Sequence, residues 1–188
     1  MFRTFPILLL MMTHPALAAK AEALGFRPAS ASEVQFEAVG RPSLLKIKGH
    51  GAKLLGDLKI ENQTASGSFE IQLNDLDTGI DLRNRHMKEN YLKTAEFPKA
   101  VLELDPIQLP ADWAPGKNLS TPFKGKLTLK GKTKPITGEF KIQGPNLATE
   151  ANFTIQLSDF DVGVPKYMGI TVADTVNASV KIPSFERK

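Results

Sequence analysis

The chain contains no cysteine. That single absence excludes disulfides, thiol nucleophiles, the usual Cys/His zinc sites and a lipid anchor on an N-terminal cysteine. Histidine is nearly as scarce, with three in all. His14 falls in the extreme N-terminal segment, so only His50 and His86 are left for the body of the protein. A serine–histidine–acid triad would have to use one of these, and no Gly-x-Ser-x-Gly elbow accompanies them. No glycine-rich phosphate loop is present, so neither a cofactor nor a catalytic group is expected. Charge of one sign is not gathered anywhere. The formal net charge of +4 comes from lysines scattered among apolar residues, whereas a nucleic-acid binder concentrates its basic residues on one face. This pattern argues against a nucleic-acid partner and leaves room only for a weak, transient attraction to anionic membrane surfaces. A hydrophobic run of membrane-spanning length, about 20 residues, is missing as well.

The one short apolar run, Phe5 to Met12, follows Arg3 and precedes Ala16-Leu17-Ala18. A positive residue, an apolar stretch and an A-x-A site in that order read as a secretory signal cleaved near Ala18. The expected organisation is a signal peptide at 1–18, a flexible segment at 19–33 rich in alanine with Pro28, and a single domain at 34–188. The signal and the lack of a later spanning segment together predict an exported protein that is soluble once the signal is removed.

The dominant pattern beyond Glu33 is a period of two, the mark of half-buried strands. Phe69, Ile71 and Leu73 alternate with polar residues, as do Leu102 and Leu104, Leu127 and Leu129, Phe140 and Ile142, and Phe153 and Ile155. Ile136 and the series Val176, Ala178, Val180 and Ile182 repeat the pattern. Short links such as Ala65-Ser66-Gly67, Gly131 to Pro135 and Gly144-Pro145-Asn146 favour antiparallel hairpins. About eight strands at this spacing must close on themselves or pack as a sandwich to bury their oily faces. Gly49, Gly56, Gly125, Gly131 and Gly138 fall on the apolar side. They mark either bends in the sheet or interior volume left free beside phenylalanine, leucine and isoleucine. In the second case the lining is hydrocarbon and suits an alkyl or prenyl chain. The candidate ligand-binding residues are Phe69, Ile71, Leu73, Leu102, Leu104, Leu127, Leu129, Phe140, Ile142, Phe153 and Ile155.

One segment departs from the alternation. Leu82 to Thr94 sets Arg83, Arg85, His86, Lys88 and Glu89 around Leu82, Met87, Tyr91 and Leu92. That distribution predicts a short amphipathic helix, ended by Glu96-Phe97-Pro98. A long connection from Asp159 to Asp174 is expected to form a loop at the barrel mouth. Arg83, His86, Tyr167 and Met168 are the candidates for that mouth, with fixing the helix and loop to the barrel as their alternative role. Asp75, Asp77 and Asp81 lack the glycine and glutamate positions of a calcium loop. They are expected to be polar residues at a strand end, and Asp159 and Asp161 could pair with them across the sheet; no metal site is predicted.

The run Asp77-Thr78-Gly79, Arg83-Asn84-Arg85-His86-Met87, Tyr91-Leu92 and Glu96-Phe97-Pro98 resembles the signature of the YceI-like proteins. Further matches are Gly131-Lys132-Thr133-Lys134-Pro135, Asp159-Phe160 and Val172-Ala173-Asp174-Thr175-Val176. Asn84 stands where that family usually has aspartate, Met87 where it has leucine, and Asp161 where glycine is usual. The resemblance implies a mainly β, antiparallel, eight-stranded lipocalin-like barrel with one short helix between strands, in a protein of the bacterial periplasm. It also implies a polyisoprenoid, isoprenoid quinone or similar apolar lipid held in the barrel interior. The competing expectation is a stress-response or interaction module whose barrel is packed and takes no stable ligand.

Overall fold

Alternation carried through to burial is clearest in the strand Leu119–Leu129, where Phe123, Gly125, Leu127 and Leu129 turn inward and Lys124 and Lys126 outward. The computed structural model describes residues 23–41, 46–164, 166–167 and 170–188. The expected signal peptide lies outside the described residues, as do Met168 and the side chain of Tyr167.

The strands are β1 (Leu24–Pro28), β2 (Glu33–Arg41), β3 (Lys46–Lys53), β4 (Leu55–Glu61), β5 (Thr64–Gln72) and β6 (Lys99–Gln108). They continue as β7 (Leu119–Leu129), β8 (Lys132–Gln143), β9 (Ala148–Gln156), β10 (Lys166–Tyr167), β11 (Ile170–Ile182) and β12 (Phe185–Arg187). All belong to one twelve-stranded antiparallel sheet in the order β12-β1-β4-β5-β6-β7-β8-β9-β11-β2-β3, with β10 paired to β11. Among the described residues one α-helix is present, α1 (Asp81–His86), which continues into a π-helical turn at Met87–Leu92 between β5 and β6.

The expected count of eight strands is corrected by two features. Three strands, β1, β10 and β12, are short pieces that carry too few inward residues to show a period of two. In addition, the stretch that alternation would read as one strand is broken at the buried Leu54 into β3 and β4. That break also explains the curl. β3 lies at one edge of the hydrogen-bonded order and β4 near the other, yet one residue joins them. The sheet has to bend round until both meet at Leu54. Its interior is therefore enclosed on most sides even though the hydrogen-bonded ladder does not close.

The segment expected to be flexible at 19–33 is corrected in part. Residues 24–28 form β1, which pairs with β4 on one side and β12 on the other and buries Phe26 in the core. The connection expected at 159–174 is shorter than predicted as well. A 3-10 turn at Leu157–Phe160 buries Phe160, and β11 extends back to Ile170.

The two ends of the curled sheet differ. At one end the chain between β6 and β7 folds under the sheet and buries Leu109 and Trp113, with Leu147 beside them. Gln63 latches this floor by donating from Nε2 to the carbonyls of Ala111 and Trp113 (3.1 and 3.2 Å), and the Trp113 indole donates to the Lys117 carbonyl at 3.2 Å. At the other end stand α1, its π-helical turn and the 3-10 turn before Asp161. On the outside, cross-strand ion pairs such as Lys99–Glu70 (2.8 Å) and Lys48–Glu37 (3.5 Å) keep the polar face wet. Exposed pairs of this kind contribute about 0–1 kcal/mol each.

The interior glycines do not leave free volume, which corrects one of the two readings drawn from sequence. Phe36 lies across Gly49, its partner on the neighbouring strand, so closely that a Cβ there would sit 2.2 Å from the ring. Phe123 covers Gly138 in the same way, at 2.6 Å. At Gly56 the Ser68 carbonyl and Phe69 fill the place. Gly131, expected on the apolar side, is instead an exposed residue of the turn between β7 and β8 at φ 71°, with Phe97 beside it. At Gly125 the space is taken by Leu102 and the Glu103 carbonyl.

Candidate ligand-binding site

Inside the curl is a cavity of about 620 Å³, with a second space of about 140 Å³ between it and the floor. The larger volume falls within the roughly 300–1,000 Å³ of small-molecule pockets. Val34, Ile71, Ala100, Leu127 and Phe153 border both, so the two spaces lie end to end with these residues as the partition.

Each of the eleven apolar residues singled out from sequence lines one space or the other. Leu73, Leu129 and Ile155 line the upper cavity, while Phe69, Leu102, Leu104, Phe140 and Ile142 line the lower. Ile71, Leu127 and Phe153 serve both. The lower space is small because aromatic rings crowd it: Phe123 packs against Phe140 at 6.3 Å and edge-on to Phe153 at 6.2 Å. The expectation of a packed interior therefore describes the lower half, and the upper half is open.

Sequence reasoning missed part of the wall. Val34, Phe36 and Ala38 of β2, and Val172, Val176 and Ala178 of β11, complete the upper cavity. The signal was available, since Glu33 to Ala38 alternates as cleanly as any stretch in the chain.

Polar atoms reach the upper cavity only near the helix. Arg83, His86 and Asn90 line it together with Met87 and Tyr91, as residues three and four apart along one helical face must. The π-helical turn lets Asn90, Tyr91 and Leu92 follow Met87 on that face, and Lys93 ends it in the left-handed region at φ 50°. Ile80 and Leu82, 53% and 48% exposed, form an apolar rim beside them.

A clasp built from the Asp77-Thr78-Gly79 turn holds this helix in place. Asn84 accepts hydrogen bonds from the Thr78 N–H (2.8 Å) and hydroxyl (2.7 Å), and its Nδ2 donates to Asp77 Oδ1 at 2.7 Å. The Gly79 N–H also donates to Asp77 Oδ1. Donation from the Asn84 side chain, then from the Gly79 backbone, holds the Asp77 carboxyl below its ordinary value. Arg83 closes the clasp by donating from Nη2 to the Thr78 carbonyl at 2.6 Å. His50 pairs with Asp77 through both backbone groups at 2.9 Å, tying the turn to β3.

Of the acids expected to pair across the sheet, Asp161 turns elsewhere: it bonds Lys132 at 3.1 Å and its carbonyl receives Lys130 Nζ at 2.7 Å. Nearby, Asp174 accepts from the Ser158 N–H. Asp161 stands at φ 54°, a left-handed position that aspartate tolerates better than most residues, which accounts for its taking a glycine's place.

An antiparallel sheet curled round an apolar cavity, floored at one end and capped at the other by a short polar-faced helix, defines a lipocalin-like binding fold. The chain matches the YceI-like domain over residues 28–183 and belongs to that family. A UPF0312 protein of Yersinia pestis (strain Pestoides F) is 33% identical over 101 residues, which cover 49% of each chain. The match thus spans about half the length of that relative. Among solved structures, a polyisoprenoid-binding domain from Saccharophagus degradans superposes with a TM-score of 0.65 at 19% identity, covering 87% of this chain and 98% of that one. BcnA of Burkholderia cenocepacia does so with 0.65 at 22% identity, covering 82% and 98%. At these identities the likeness concerns the fold.

Proposed function

We propose that this protein is an exported, periplasmic carrier or store that holds a long apolar ligand, a polyisoprenoid, isoprenoid quinone or similar lipid, inside the curled sheet. The observation that carries this reading is the 620 Å³ cavity walled by aliphatic side chains and the rings of Phe36 and Phe153, with polar groups near the helix. Burying a chain there contributes about 0.8 kcal/mol per methylene, so a prenyl tail binds firmly with few polar contacts. The polyisoprenoid-binding domain of like fold supports the choice of ligand class, and the signal-like first 18 residues support export. His86 lines the cavity as part of its polar mouth, beside Arg83 and Asn90.

The test is native mass spectrometry with organic extraction of the protein purified from its own cell envelope. A prenyl lipid or quinone recovered near one per chain is expected. A clean protein that takes up no added prenyl lipid refutes the carrier reading, and the apolar rim at Ile80 and Leu82 would then be the place to seek a protein partner.

A further inference from the structure

The space beneath the partition differs in kind from the cavity above it. It measures about 140 Å³ and lies among rings and branched chains, with Trp113 and Leu109 from the floor and Phe69, Phe123, Ile142 and Val180 from the walls, all of them buried. The polar side chains that border it are all engaged. Glu70 accepts from Lys99 Nζ at 2.8 Å, the Thr149 hydroxyl donates to the Leu147 carbonyl at 2.9 Å, and the Trp113 indole donates to the Lys117 carbonyl at 3.2 Å. Two buried side-chain atoms among the described residues lack a partner, Ser32 Oγ and Arg83 Nε, and neither residue lines this space. A buried water needs about two to four polar partners. None is offered here, so the space is dry. On the side of the upper cavity it is bounded by the shared partition, in which the Phe153 ring is braced edge-on against Phe123.

We propose that the lower space is a second binding site, separate from the upper cavity, which takes one small apolar molecule of the class of single-ring aromatic hydrocarbons. Apolar cavities of about 150 Å³ lined by leucine, isoleucine and phenylalanine stay dry and take up benzene or xenon. The rings in the wall favour a flat guest, because aromatic groups gain from edge-to-face and offset contacts. A hydroxyl or a charge on the guest would enter without a partner, so polar analogues of the same size are rejected. The site needs neither the mouth nor an occupant in the upper cavity, and it stands or falls apart from the lipid-holding reading.

The experiment titrates the purified protein with benzene and with phenol, first alone and then with geranylgeraniol at saturation. Isothermal calorimetry and the emission of Trp113, the only tryptophan in the chain, are the readouts. With geranylgeraniol at saturation, one benzene per chain is expected to bind and to change Trp113 emission. Phenol should bind at least about tenfold more weakly. Ala65→Leu and Ala151→Leu add methyl groups to the space from β5 and from β9. Each should abolish benzene binding and keep geranylgeraniol affinity, and a variant that fails to fold leaves the other to decide. Displacement of benzene by geranylgeraniol overturns the proposal, because the two spaces then act as one seat. So does benzene binding that is unchanged in the filled variants, or phenol binding as tightly as benzene. Benzene binding that is lost in the filled variants, in a protein that takes no geranylgeraniol, supports the second site and counts against the lipid-holding reading alone.

Discussion

Replacing Phe153 with alanine removes the largest side chain in the partition between the upper and lower cavities. The ring borders both spaces and stands edge-on to Phe123 at 6.2 Å and 82°. A Phe→Ala change in a core costs about 3–5 kcal/mol, and here the lower end applies, because the ring already faces open space on one side. At about 2–4 °C per kcal/mol for a domain of this size, the unliganded variant should melt about 6–12 °C lower. The same deletion joins the 620 Å³ cavity to the 140 Å³ space beneath it. A longer tail can then reach the floor and gain about 0.8 kcal/mol for each further methylene buried. Trp113 makes the event visible, since it is the only tryptophan in the chain and lines the lower space. The assay pairs thermal unfolding with binding of prenyl alcohols of increasing length, followed by tryptophan emission. In the unmodified protein, affinity should level off with chain length and Trp113 emission should stay constant. In Phe153→Ala, affinity should keep rising and emission should change with the longer ligands. A destabilised variant with the same length preference and a silent Trp113 would refute the assignment of Phe153 as the divider.

Gly138→Ala should destabilise the protein by about 1–3 kcal/mol as an overpacked site, because its Cβ would meet the Phe123 ring at 2.6 Å and the Asn152 carbonyl at 2.5 Å. Since the carbonyl cannot move aside, adding Phe123→Leu should recover only part of the loss in melting temperature; full recovery would count against the geometry. Asn84→Ala breaks the clasp and leaves the Thr78 groups unmatched, at about 1–3 kcal/mol. Hydrogen exchange should quicken across 81–92 while the sheet keeps its protection, and uniform quickening would contradict a local role. Asp77 has its folded pKa lowered, so its stabilising effect is present above the unfolded value near 3.8 and fades as pH falls below it. The melting-temperature gap between the unmodified protein and Asp77→Ala should therefore be widest near neutrality and narrow between pH 4 and pH 2, and a gap independent of pH would refute the linkage.

The strands that form the walls could be read from sequence because each repeats its inward residue several times. β7, β8 and β9 alternate over their whole length, and the eleven residues taken from such stretches all face the interior. Pieces with one anchor could not be read that way. β1 holds a single buried residue, Phe26, between Gly25 and Arg27, and its place between β4 and β12 depends on partners far along the chain. The break at Leu54 is likewise invisible to a period of two, since it arises only when the sheet has curled enough for its edges to meet. The helix was placed to within a residue at its start, but sequence shows only that Arg83 and His86 share a face. That Arg83 turns back to the Thr78 carbonyl follows only from the folded clasp.

The glycines carry the division of the interior one step further. Phenylalanine rings from the paired strands lie over Gly49 and Gly138, in space that any side chain at those positions would need. In the lower half, Phe69, Phe123, Phe140 and Phe153 converge from four strands and leave only 140 Å³. In the upper half Phe36 is the ring laid against its glycine, and the facing positions are the small or aliphatic Ala38, Val172, Val176 and Ala178. Side-chain size at the shared positions Val34, Ile71, Ala100, Leu127 and Phe153 therefore sets how far the upper cavity extends, while the sheet itself continues to the floor. Cavity depth in this fold is thus a property of a few inward positions, and substitutions there should retune ligand length without altering the strand order.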